Sequence, residues 1–242
     1  MDQGAATKYV MQNFPPDTHL TLWLLPTSQL DKEPLYELVR GFEMDLNFSG
    51  TSATSPMKTE SDLDLYSARV AGTVALLCIQ LCLYHYPGTS DSKAKRLMAA
   101  GHDMGIALQY TNIAHDLSVD VREHGRVYVP AAWLKKEKLL PETLVTALKA
   151  DKPDDFLLKK IGTIRQRLLD RSFDSYGRSV GAIEQLPREA RAPMRVAVES
   201  YMQLARELQT PGFKVKAGRA TVPLWKRVAV AWRALIGPRE RG

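Results

Sequence analysis

Cysteine is nearly absent: the 242 residues hold two, Cys78 and Cys82, four apart in an apolar run. That count excludes a disulfide framework and leaves two buried thiols on one helix face as the plain reading. Glycine (15) and proline (14) are too few for a collagen-like or low-complexity chain. No basic run is interleaved with aromatics, so nucleic acid is not an expected partner. The N-terminus has no basic start followed by an apolar stretch, which argues against a signal peptide. The longest uncharged run, Val70 to Tyr84, has fifteen residues, short of a membrane span and suited to a buried helix. No segment alternates apolar and polar residues long enough to predict a strand, and no internal repeat occurs.

What remains is an ordinary globular composition, 45% hydrophobic and 25% charged, of a size that fits one domain over residues 1–242. The net charge of +6 suits a polyanion such as a diphosphate, a nucleic acid or a membrane surface without choosing among them. Prolines 15, 16, 26 and 34 break the first 35 residues into short helices or turns. After them, helical spacing predicts Leu35–Leu46, a polar loop over Ser49–Pro56, and a helix through Tyr66 to about Tyr84 capped at Thr59 or Ser61. Further helices follow over Lys93–Val121, within Lys135–Ala150, and over Phe156–Leu186. Arg188–Leu208 comes next, with a kink expected near Pro193 and a break at Pro211-Gly212, and then Pro223–Ile236. The fold class is all-α, an antiparallel helix bundle.

The chemistry concentrates in Gly105–Pro130, GIALQYTNIAHDLSVDVREHGRVYVP. Gln109, Asn112, Asp116 and Asp120 are spaced three, four and four apart, which sets two amides and two carboxylates in one helical stripe, with Glu123 extending it. Gly101, Gly105, Ala107, Leu108 and Ile113 make much of the same helix look buried. A polar stripe on a buried helix has to face a wet cavity or an ion, because unpaired buried carboxylates are costly. Oxygen ligands without a cysteine or histidine cluster suit a hard cation such as Mg²⁺, although an Asp-x-x-x-Asp pair alone is more often a solvated helix face.

The block NIAHDLSVDVREHGRVYVP resembles the second aspartate-rich signature of the squalene/phytoene synthase family. Tyr66–Ala75, YSARVAGTVA, resembles the family's aromatic Val-Ala-Gly-Thr-Val signature, in the same order and at the same separation. The resemblance covers roughly Leu35 to the end, taking in Tyr201 and Pro211–Leu235. GFEMDLNF and DLDLY are similar to the phytoene synthase domain of the fungal bifunctional lycopene cyclase/phytoene synthases.

This resemblance implies an isoprenoid synthase-like bundle around a central cavity and a Mg²⁺-dependent, head-to-head joining of two prenyl diphosphates. One diphosphate leaves to give an allylic cation, and the second substrate's double bond attacks it to form a cyclopropylcarbinyl diphosphate. A second ionisation, rearrangement and proton loss then give phytoene. By position, Asp116 and Asp120 would hold Mg²⁺, and Gln109 and Asn112 would face the same cavity. Arg126, beside Tyr128, would neutralise diphosphate, and Tyr66 would sit near the reacting carbons. Val70, Ala71, Gly72 and Val74 would line the channel, while Tyr201 and Arg219 would lie on the diphosphate side. Tyr66 as a core aromatic, and Arg126 and Arg219 as surface charges, are the alternative readings.

The sequence departs from the family in places. His115 stands where arginine is usual, and Ala75 where glycine is. The first aspartate-rich motif is not found: Asp2, Asp17 and Asp31 are too far apart, and Asp62 and Asp64 point to different helix faces. The expectation is therefore an N-terminally incomplete domain, catalytically doubtful alone, with a lycopene cyclase domain upstream in a longer polypeptide. Prenyl diphosphate substrates and C40 products imply peripheral association with a membrane surface, on the cytoplasmic side. Two competing readings are a non-catalytic relative acting in assembly or as a scaffold, and a squalene synthase-type farnesyl transferase.

Overall fold

A computed structural model describes residues 3–47, 57–149, 155–210 and 222–237. Its contacts divide the chain into two compact units, 1–31 and 32–242. The first holds α1 (Gln3–Asn13) and α2 (Pro16–Leu24). Pro16 opens α2 at a position where a missing N–H costs nothing, and no α2 residue is buried.

The second unit is all-helical among its described residues. It comprises α3 (Glu33–Leu46), α4 (Glu60–Ser67), α5 (Thr73–His85), α6 (Asp91–Val119), α7 (Ala131–Lys136), α8 (Pro141–Lys149), α9 (Asp155–Ser179), α10 (Arg188–Leu208) and α11 (Leu224–Ile236). Thr59 and Asp62 form a reciprocal capping box at the start of α4. A π-helical turn, Ala68–Gly72, joins α4 to α5, so 60–85 is one rod. A second π turn, Asp120–His124, extends α6 and ends at Gly125, whose φ of 64° lies in the left-handed region glycine favours. α9 tightens into a 3₁₀ turn over Val180–Gln185, so the long helix expected to Leu186 is two segments. Pro193 lies inside α10 without ending it.

The rod is also long and apolar enough to cross a membrane by length and composition, which its fifteen-residue uncharged run understates. Only 28% of its apolar window is buried, so it is not the wholly buried helix its sequence suggested.

α6 is the central element. It packs most extensively on α9, and also on α5, the first π turn and α10. Leu97, Tyr110, Ile113 and Leu117 of α6 meet a core that includes Ile161, Ile164, Leu168 and Leu169 of α9 and Met202 of α10. Buried Thr111 and Ser172 satisfy each other at 2.8 Å, and Ser172 also donates to the Ala107 carbonyl. The rod approaches α6 backbone to backbone: a Cβ on Gly105 would lie 2.4 Å from the Ala71 carbonyl oxygen. The Ser49–Pro56 loop, Ala150 and Pro211-Gly212 lie outside the described residues.

Candidate functional site

The C-terminal half of α6 supplies the floor of a polar pocket of about 120 Å³, lined by Tyr66, Gln109, Asn112, Ile113, Asp116, Asp120 and Tyr128. The three- and four-residue spacings hold through the α-helical part, so both amides and both carboxylates reach one cavity. The π turn beginning at Asp120 then shifts the register, and Glu123 is exposed rather than added to the row. Gly125 reverses the chain, with Arg126 N donating to the Asp120 carbonyl at 3.0 Å, and this return brings Tyr128 to the pocket with Arg126 beside it.

One residue that sequence reasoning passed over organises the rim. Asp45 of α3 accepts hydrogen bonds from the hydroxyls of Tyr66 and Tyr128, each at 3.0 Å. The two rings stack with centroids 5.4 Å apart, and Arg126 donates to the Tyr128 oxygen at 3.2 Å. Burial, with Tyr128 and the Asp45 charge beside it, pushes the Tyr66 hydroxyl far up, so it remains a donor. Tyr201 of α10 joins from the opposite side: its hydroxyl donates to Asn112 Oδ1 at 2.8 Å and is pushed up to about 12 by burial and the Asp116 charge. His115 Nδ1 lies 2.6 Å from Asp116 Oδ1, so the residue standing where arginine is usual holds the first carboxylate.

Asp120 is pushed up to about 6, first by burial and then by the neighbouring Asp116 charge. The carboxylate pair, with the Gln109 and Asn112 side chains in the same pocket, fits a hard divalent cation, which takes one or two protein carboxylates and completes its shell with water and phosphate. Among the described residues no group of three or more acidic, histidine or cysteine side chains is arranged to hold a metal ion, so this pair would need the amides, water or phosphate to complete a shell. Asp62 and Asp64 serve elsewhere: Asp62 caps α4, and Asp64 pairs with Arg171 and accepts from Tyr110.

Toward its N-terminal half the same face of α6 becomes apolar. Leu97, Gly101, Met104 and Leu108 line a groove of about 300 Å³ with Val70, Ala71, Val74, Cys78 and Ile79 of the rod and Val198 of α10. At about 1.5 Å of rise per residue, Asp116 stands roughly 22 Å along the axis from Gly101. Val70 and Val74 therefore lie in the groove. Gly72 does not: it is buried against α6, where a Cβ would meet the His102 ring at 2.7 Å, so it permits helix contact. Arg219 lies outside the described residues.

A sequence profile described as squalene/phytoene synthase matches residues 2–226. The chain belongs to the squalene/phytoene synthase family. The match begins well before Leu35, where the resemblance of the motifs starts. A bifunctional lycopene cyclase/phytoene synthase from Leptosphaeria maculans is 50% identical over 233 residues, covering 96% of this chain and 38% of that protein. One of the same description from Phaeosphaeria nodorum is 48% identical over 229 residues, 94% of this chain and 37% of the relative. The chain thus spans little more than a third of the length of these relatives. Among solved structures, a dehydrosqualene synthase superposes with a TM-score of 0.62 at 17% identity, covering 94% of this chain and 73% of that one. A squalene synthase from Alicyclobacillus acidocaldarius gives 0.60, also at 17% identity, over 86% and 71%. At that identity the structures establish the fold, an isoprenoid synthase-like helix bundle.

Proposed function

We propose that this squalene/phytoene synthase family chain carries the second aspartate-rich half of a phytoene synthase active site, for Mg²⁺-dependent head-to-head condensation of two geranylgeranyl diphosphates. The carrying observation is that α6 lines both a carboxylate-and-amide pocket and, toward its N-terminus, an apolar groove. That sequence of surfaces fits a ligand with an anionic head and a long hydrocarbon tail. The relatives' names supply the choice of phytoene as product, and a lycopene cyclase segment in the same polypeptide as partner.

Asp116 and Asp120 would hold Mg²⁺, which supplies neutralising charge to a departing diphosphate. Arg126 adds fixed positive charge on the same rim. Asn112, held by Tyr201, and Gln109 present amides to the phosphate oxygens or their waters. Tyr66, fixed by Asp45, offers a ring face where cationic carbon develops. The groove's apolar lining would hold the prenyl chain. Prenyl chains partition into bilayers, so the same reading places the chain at a membrane surface.

Calorimetric titration with Mg²⁺ and a non-ionisable prenyl thiodiphosphate tests the site on this chain. Binding is expected only with metal, and Asp116→Ala is expected to weaken it about a hundredfold. Metal-independent binding, or an Asp116→Ala variant equal to the parent, removes the proposal. Labelled geranylgeranyl diphosphate then tests for product, with this chain and with the same chain joined to an upstream segment carrying an Asp-x-x-x-Asp helix.

A further inference from the structure

We propose that the outer face of α11 is a docking surface for an anionic lipid bilayer. The proposal deepens the membrane part of the reading above, and its test variants change no residue of the diphosphate site. Leu224, Trp225, Val228, Trp232, Leu235 and Ile236 are each between 52% and 72% exposed. At 3.6 residues per turn all six fall within an arc of about 120° on one side of the helix. The opposite side faces the protein. There Ala234 is buried and its carbonyl accepts from Arg195 Nε at 2.7 Å, while Lys226 pairs with Glu207 of α10 at 2.8 Å. These ties hold the apolar arc outward.

Charge selects the occupant. α11 contains no acidic residue, and exposed Arg227 and Arg233 flank the arc on either side. Residues 211–242 carry eight of the chain's 33 basic residues and one of its 27 acidic residues, so that stretch exceeds the net charge of the whole chain. A tryptophan-bearing apolar face bordered by arginines is the pattern of a helix lying in a bilayer interface, with rings at headgroup depth and cations against acidic lipids. Acidic headgroups beside the strip would give Arg227 and Arg233 the countercharge that α11 itself does not supply.

Flotation of the full chain with vesicles of phosphatidylcholine, alone or mixed with phosphatidylserine, tests this. The chain is expected to float with the mixed vesicles and about tenfold more weakly with phosphatidylcholine alone, the difference shrinking as salt is raised. Trp225→Glu/Trp232→Glu is expected to lower binding at least about tenfold, and Arg227→Glu/Arg233→Glu to abolish the preference for phosphatidylserine. Circular dichroism and melting curves matching the parent exclude misfolding as the cause. Equal flotation of parent and tryptophan variant overturns the α11 face and leaves membrane association standing; no flotation of the parent overturns both. A soluble dimer that the tryptophan variant dissociates, without vesicle binding, makes the face a contact between copies and also overturns the proposal.

Discussion

Helix α6 turns amides and carboxylates toward the interior, whereas α11 turns two tryptophans and four aliphatic side chains toward the exterior. Both reverse the usual amphipathic arrangement, and the reversals differ in what they demand. An inward polar row needs countercharge and hydrogen-bond partners, because a desolvated carboxylate is expensive. An outward apolar row needs only something apolar to lie against, because the hydrophobic effect has no direction. α6 should therefore tolerate little change, while α11 should tolerate much change in stability terms and little in binding.

The largest effect is expected where α6 meets the rod. Gly105→Ala drives a Cβ into the Ala71 carbonyl and should cost about 3 kcal/mol, read from urea unfolding. A neutral outcome would mean that the helices slide freely and that the face is not held in register. Next is the rim of the pocket. Asp45→Ala strands two tyrosine hydroxyls and should cost about 2 kcal/mol, with Asp45→Asn recovering part of it.

A smaller effect, of opposite sign, belongs to Asp120. Its folded carboxyl sits near 6 against an ordinary 3.8, so the unfolded chain loses its proton first as pH rises between those values, and stability falls across that window. Asp120→Asn should remove the fall and, after solvent screening, leave the variant about 1 kcal/mol more stable at pH 7 without divalent metal. Added Mg²⁺ and diphosphate should reverse the ranking, which melting curves with and without metal would record. The smallest effect is on α11: Val228→Ser should change stability by less than about 0.5 kcal/mol. A large loss there would show that the arc is covered by the protein itself.

Much of the candidate site was legible because it is local. Gln109, Asn112, Asp116 and Asp120 share a face by helical period alone. Asp45 was not legible, though it lies in the quoted GFEMDLNF block. Its partners Tyr66 and Tyr128 are 21 and 83 residues away, and no periodicity connects them. Glu123 was misplaced for another reason: a π turn inserts a wider step that a fixed 3.6-residue period does not contain. Gly72, assigned to the channel as a small residue, turned out to serve the contact with His102.

Composition and period determined the helical class, most helix positions and which oxygen-bearing side chains share a stripe, because each depends on neighbours within a few residues. Only the tertiary structure decided which way each stripe faces. That choice depends on which helices lie alongside: α6 is enclosed by α5, α9 and α10, so its polar row lines a cavity, while α11 is held on one side by Arg195 and Glu207, so its apolar row meets whatever surrounds the protein.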